Sequence, residues 1–226
     1  MVRRRSVIHP YAEAVSALAV ADPRLGALMA RIGVCGLLRR PAETPFETLL
    51  EAIVHQQLTG RAAGTILARV KALFPGGVPT AARLDSLPDE DLRAAGLSRA
   101  KVASLKDLAA RSLGGEIPPF AALESLDDEV IIDQLTMVRG VGRWTVEMLL
   151  IFRLGRLDVL PATDYGVRKG FALTFPRRGA SGRRKAESDI QLPSAAEVLA
   201  RGERWRPYRS IAAWYLWRAL DRKGDG

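Results

Sequence analysis

The segment L-T-M-V-R-G-V-G-R-W-T-V-E-M, from Leu135 to Met148, sets two apolar-periodic stretches on either side of Gly140-Val141-Gly142. A helix that ends in such a turn, with a second helix starting at once, exposes the first N–H groups of that second helix. With the helix dipole behind them, those groups suit an anion. Glycine at 140 and 142 permits positive φ and lets a phosphate approach the backbone. This is a helix-hairpin-helix pattern, able to hold duplex backbone without reading sequence. Gly140, Gly142, Arg143 and Thr145 are its candidate phosphate contacts, although a plain helix-to-helix turn would use the same glycines. One helix and a short connection later, L-P-A-T-D-Y-G-V-R-K (Leu160 to Lys169) supplies a carboxylate, Asp164. On its own, an aspartate after Thr163 caps or opens a helix. Following a hairpin of this kind, it is also a candidate for chemistry.

Positioning these groups falls to helices. Asp22-Pro23, Pro45, Pro88, Ser98, Asp127, Thr163, Pro193 and Pro207 each precede or open an apolar-periodic segment, and strand alternation is almost absent. From Pro45 to Thr59 the spacing predicts a helix with Phe46, Leu49, Leu50, Ile53 and Val54 on one face, leaving Gln56 and Gln57 as polar exceptions near its end. Arg61 to Phe74 is predicted as the next helix. A G-L-S-x-x-K pattern stands at Gly96 to Lys101, and further helices are expected at Asp127–Thr136 and Arg143–Leu154. The last is apolar on nearly all sides and so is expected at the centre of the core.

The 226 residues carry 34 Lys+Arg against 25 Asp+Glu, a net charge of +9 that favours polyanionic partners. Cys35 alone excludes an intrachain disulfide and a four-cysteine cluster, and His9 and His55 add too few nitrogens for a zinc site. No apolar run approaches the roughly 18 residues that cross a bilayer, so a membrane protein is excluded. The start M-V-R-R-R followed by A-V-S-A-L-A-V-A is interrupted by Tyr11 and Glu13 and reads as an amphipathic helix rather than a secretory signal. A reducing, cytoplasmic and nucleoid-associated location is expected. The Gly- and Arg-rich stretch Arg177 to Lys185 reads as a solvated loop or a phosphate-tracking arm.

The combination of G-V-G-R-W-T with a following L-P-x-x-D-Y resembles the helix-hairpin-helix DNA glycosylase superfamily. Within it the similarity is to the 3-methyladenine-DNA glycosylase II group. The likeness spans roughly Pro45 to Leu220 and includes A-I-V-H-Q-Q-L-T and R-W-R-P-Y-R-S-I-A-A-W-Y-L-W. It implies an all-α, two-lobed fold with a central lobe at about 45–154 containing the hairpin at 135–148. A second lobe is expected from 1–44 plus 155–226, without the amino-terminal β domain of larger relatives. It implies that Asp164 is the catalytic aspartate and that Gln57 enters the gap left by a flipped base, where relatives carry an apolar wedge. Trp144, Tyr165 and Trp217 would line the base pocket, with Met148 where a bacterial relative has a tyrosine. Trp144 also stands where bifunctional relatives carry a lysine, which implies hydrolysis without strand cleavage.

The function so implied is a monofunctional glycosylase releasing alkylated purines from double-stranded DNA, acting as a monomer and requiring no cofactor. A Na+ or K+ ion on hairpin carbonyls around Met137, Val138 and Gly140 is a further expectation from the resemblance. Arg209 and Ser210, at the start of the last helix, are candidate phosphate contacts or caps. Trp205 and Trp214 are assigned to packing, and His55 to structure. Two other readings remain: a non-catalytic DNA-binding module, which has no need of Asp164, and a glycosylase for oxidised or mismatched bases.

Overall fold

The computed structural model describes residues 10–40, 44–176 and 191–221; the Arg177–Lys185 stretch lies outside them. Two compact units make up the chain, one spanning Arg39–Leu154 and the other combining Met1–Leu38 with Gly155–Gly226. In chain order the helices are α1 (Ala12–Ala21), α2 (Pro23–Ile32), α3 (Pro45–His55), α4 (Gly60–Lys71), α5 (Ala81–Ser86), α6 (Asp89–Ala94) and α7 (Arg99–Leu113). Then follow α8 (Phe120–Leu123), α9 (Asp128–Thr136), α10 (Arg143–Leu149), α11 (Tyr165–Thr174), α12 (Ala195–Gly202) and α13 (Arg209–Arg218). Among the described residues there is no strand, so the fold is all-α as expected. None of these helices is long and apolar enough to cross a membrane.

Side-chain chemistry sets the helix starts. Thr44, Thr80, Ser98, Asp164 and Ser194 each accept a hydrogen bond from the backbone N–H three residues on. Ser194 completes a reciprocal pair with Glu197. Pro23 and Pro45 occupy first-turn positions, where a missing N–H costs nothing.

In the Arg39–Leu154 unit, α3 buries Phe46, Leu49, Leu50, Ile53 and Val54 and packs on α4, α7 and α10. Each such side chain contributes roughly 1.5–3 kcal/mol on burial. That stripe, rather than intrinsic propensity, holds a helix of only 11 residues. The helix is shorter than its sequence pattern predicts, because the chain turns out at Gln56. Helix α7 returns Val102, Leu105 and Leu108 to the same core and also packs on α5 and α6. The apolar segment after the hairpin is central as expected, with Val146, Leu149, Leu150 and Ile151 buried. It is not one α-helix: α10 passes into a π-turn at Leu150–Leu154.

In the other unit α13 packs on α1, α2 and α11. A buried carboxylate ties the early part of the chain to the late part. Asp22, 1% exposed, receives Arg201 Nε at 2.7 Å, Arg201 Nη2 at 2.8 Å and Trp205 Nε1 at 3.1 Å. Trp205 is fully buried beside Phe175, whose ring also carries the Arg201 guanidinium 3.8 Å from its centroid. Burial by itself raises the Asp22 carboxyl, but the hydrogen bonds from Arg201 and Trp205 outweigh it and hold its pKa below the ordinary value. A depressed folded-state pKa gives stability that is present above the unfolded value of about 3.9 and lost as pH falls through the native pKa. Asp22→Asn is expected to cost about 2 kcal/mol at neutral pH, because the half-buried Arg201 guanidinium loses its charge partner. Urea melts should show that deficit at pH 7 and a smaller one as the pH drops below about 4.

Candidate functional site

The Asp164 carboxylate is fixed from two directions within the unit that contains it. As N-cap of α11 its Oδ1 accepts the Val167 N–H at 2.7 Å, and the same oxygen accepts the Trp217 indole N–H at 2.7 Å. Charge-assisted bonds of this length are roughly twice as strong as neutral ones, and the helix N-terminus adds favourable dipole. Two glycines make the arrangement possible. A Cβ at Gly166 would lie 2.8 Å from Trp217 Cδ1 and 3.1 Å from Asp164 Oδ1, and one at Gly170 would overlap the Leu216 carbonyl. Helices α11 and α13 therefore meet closely enough for the indole of one to reach the cap of the other.

Around this carboxylate, Tyr165 is 63% exposed, with Lys169 Nζ 5.8 Å from its ring centroid. Trp217 is half-buried. Its polar edge is committed to Asp164, so its first role here is to orient the carboxylate. Trp214 meets Tyr215 edge-on at 4.9 Å, a packing role like that of Trp205.

The Arg39–Leu154 unit holds the hairpin. Its loop closes through Val138 N–H to Leu135 O and Val141 N–H to Val138 O. Gly140 adopts φ 79°, whereas Gly142 is extended at φ −100° and caps α10. The left-handed position expected at both glycines is thus taken by Gly140 alone; Gly142 instead leaves open space where a Cβ would stand, which keeps the backbone approachable. Trp144 is 47% exposed and Met148 lies one turn further along α10. Met148 faces a cleft of about 240 Å³ whose walls include Arg40, Glu51, His55, Phe152 and Arg153. His55 Nδ1 sits 2.8 Å from the Glu51 carbonyl of its own helix.

Gln57 is exposed and lies beyond the end of α3, not on it as its sequence position suggests. It has φ 58°, left-handed for a residue with a side chain. The preceding Gln56 donates its side-chain amide to the Gly140 carbonyl at 2.8 Å, so the Gln57 turn and the hairpin are joined directly. Gln56 escaped notice in the sequence, where it reads as one more polar exception. Gly166 is the one such residue with a usable signal, since glycine is a poor helix former and its presence in the first turn of α11 marks a close approach.

Four expected phosphate contacts already have partners within the fold. Arg143 lies between Glu129, which takes its Nη1 at 2.9 Å, and Glu147, which takes its Nε at 3.1 Å. The Glu129 bond and then Glu147 push its pKa up and tie the guanidinium to the protein. Thr145 is buried, with its N–H on the Gly142 carbonyl. Arg209 grips Asp158 through Nε at 2.7 Å and Nη2 at 3.0 Å. Ser210 is fully buried, donating to Arg156 O at 2.7 Å and accepting from Val159 N–H at 2.9 Å. The carbonyls expected to hold a cation also have protein partners. Val138 O accepts from Val141 N–H and Gly140 O from the Gln56 amide. Among the described residues no cluster of His, Cys, Asp and Glu is arranged for a metal.

Residues 50–194 match the model of the HhH-GPD superfamily base excision DNA repair proteins. The chain is 39% identical over 175 residues to DNA-3-methyladenine glycosylase 1 of Schizosaccharomyces pombe, an alignment covering 77% of this chain and 72% of that one. It is 31% identical to the alkylbase DNA glycosidase-like protein mag2 of the same yeast, over 95% of this chain and 97% of that one. The fold is similar to that of the S. pombe 3-methyladenine DNA glycosylase Mag1 solved with abasic DNA, at a TM-score of 0.77 and 35% identity, covering 91% of this chain and 95% of that one. With its hairpin at Leu135–Met148 and its aspartate at the start of the following helix, the chain belongs to the HhH-GPD superfamily of base excision DNA repair proteins.

Proposed function

We propose that this protein hydrolyses the N-glycosidic bond of alkylated purines in DNA, leaving an abasic site, with Asp164 as the catalytic carboxylate. The observation that carries this reading is the double hydrogen bond that holds Asp164 Oδ1, one from the α11 backbone and one from Trp217. Breaking the bond between base and sugar develops oxocarbenium charge, and a carboxylate fixed before the reaction stabilises it without paying for reorganisation. The same group orients a water for attack. Alkylation at a ring nitrogen such as N3 or N7 makes the purine a cation and a good leaving group, so the reaction needs little protonation by a second acid. A cation over an exposed aromatic face gains about 0.5–2 kcal/mol; Tyr165, next in sequence to Asp164, offers such a face, and Trp144 is a second candidate ring.

The hairpin backbone at Gly140–Gly142 is the proposed grip on phosphate, and Gln57 the side chain that fills the gap left by the extruded nucleotide. Flipping costs a few kcal/mol of stacking and pairing, so a filling side chain lengthens the life of the extruded state. The non-catalytic alternative needs Asp164 only as the cap of α11 and its tie to α13, since a backbone clamp gains nothing further from an oriented carboxylate.

Asp164→Asn should lower single-turnover release of 7-methylguanine by at least about 100-fold while DNA affinity, set by phosphate contacts, changes little. Near-normal release would end the assignment.

Trp217→Phe keeps the ring and removes the N–H, and a hydrogen bond to a charged group is worth about 1.5–3 kcal/mol. Release should fall roughly tenfold or more, by the same factor for cationic 7-methylguanine and neutral hypoxanthine. A loss confined to the cationic base would make Trp217 a π-surface instead of an orienting donor.

Trp144 in the hairpin leaves no amine there to attack the sugar. Borohydride should not trap the protein on abasic-site DNA, and product strands should stay intact until alkali is added; efficient trapping would show a lysine elsewhere doing covalent chemistry.

A further inference from the structure

The G-L-S-x-x-K pattern at Gly96 to Lys101 has no part in the chemistry above, yet its lysine reaches the turn that presents Gln57. Lys101 Nζ donates to Val54 O at 2.7 Å and to Gln56 O at 2.8 Å, taking up carbonyls at the end of α3 and in the turn beyond it. An ammonium at a helix C-terminus meets the negative end of the dipole, so the pairing is favourable in charge as well as in hydrogen bonding. Around the second of those carbonyls the chain changes direction: Gln56 has ψ 135° and Gln57 stands at φ 58°. A residue with a side chain persists in that region only when its surroundings over-determine it.

The same helix face organises the hairpin. Three residues after Lys101, Ser104 lies beneath Gly140, where a glycine Cβ would come within 2.7 Å of Ser104 Oγ. A further three residues on, Asp107 Oδ2 accepts the Arg139 N–H at 2.7 Å while Arg111 Nε holds that oxygen at 3.1 Å. Ser98 starts the helix by accepting the Lys101 N–H. Spacings of three residues keep Lys101, Ser104 and Asp107 near one face of α7. The Gln56 amide on Gly140 O closes the loop between the two sets.

We propose that Lys101 is a positioning residue for base extrusion: from α7 it fixes the strained Gln57 turn in register with the hairpin that the same face supports through Ser104 and Asp107. The inference rests on the reading of Gln57 as the gap-filling residue. Lys101 touches neither base nor sugar; it acts through the geometry of residues 54–57. Burial lowers the pKa of its ammonium, in keeping with a head group withdrawn from water onto carbonyls.

The test compares single-turnover release of 7-methylguanine from duplex and single-stranded oligonucleotides, read as the ratio of the two rates. Duplex DNA needs the gap filled; a single strand does not. Lys101→Met and Gln57→Ala should each lower the ratio by about tenfold, the scale of one charged hydrogen bond. The double variant should be no lower than the worse single, since both remove the same function. Lys101→Arg, which keeps a cation on a long stem, should recover most of the ratio. Where the methionine variant lacks a cooperative thermal transition, Lys101→Gln replaces it with the same expected direction. An unchanged ratio in Gln57→Ala overturns the gap-filling reading and this inference with it. A lowered ratio in Gln57→Ala beside an unchanged one at position 101, or effects that multiply in the double variant, overturns the positioning role alone.

Discussion

The indole–carboxylate bond between Trp217 and Asp164 demands that two helices approach within the reach of a single side chain. Any residue with a Cβ at position 166 would press on the indole edge, and one at 170 would collide with the Leu216 carbonyl. The helix that carries the carboxylate therefore has glycine in its first turn and again in its interior at 170, the latter costing roughly 0.5–1 kcal/mol relative to alanine. That local cost is met by the burial of Val167 and Phe171 from α11 and of Ala213 and Leu216 from α13. Function and packing are thus not separable on α11: the glycines that let the site form also bring the apolar faces into contact.

The scaffold behind those helices is closed by a second carboxylate used in the opposite way. Asp164 keeps a partly accessible setting, whereas Asp22 is sealed off and saturated by Arg201 and Trp205. In the proposed function the first meets charge that arises transiently, while the second meets a permanent guanidinium. The unit holding both is assembled from the two ends of the sequence, with 179 residues separating Asp22 from Arg201. The buried pair fixes how those ends meet, a task for which a directional, hydrogen-bonded ion pair is better suited than aliphatic contact alone.

Local rules carried much of this into the sequence. Helix starts could be read from Thr, Ser, Asp and Pro because capping is decided within four residues, and the α3 stripe because periodicity is a local property. Asp164 was visible because its motif is contiguous. What escaped was long-range. Arg209 and Ser210 look like a phosphate-facing pair until Asp158, 51 residues upstream of Arg209, is folded against them. That Ser104 packs against Gly140 closely enough to exclude a Cβ is likewise not written in the hairpin sequence. Lys101 stood in a recognisable pattern, but its partners are backbone carbonyls, and a carbonyl leaves no mark on residue identity.

Charge illustrates the same limit and bears on how DNA would be held. A net charge of +9 suggests a surface crowded with cations seeking phosphate. Arg143, Arg201, Arg206 and Arg209 are each in an ion pair within the fold, and Lys101 and Lys106 point their ammonium groups at backbone carbonyls. To reach a phosphate, any of these would have to leave a partner it already has, which discounts its contribution by the strength of that partner. At the hairpin, extended Gly142 at the start of α10 has open space where a Cβ would stand, so a phosphate can approach the backbone there. Backbone grip at that turn, with net charge acting as a long-range attraction rather than as a set of contacts, fits a protein that must hold any stretch of duplex in order to inspect its bases.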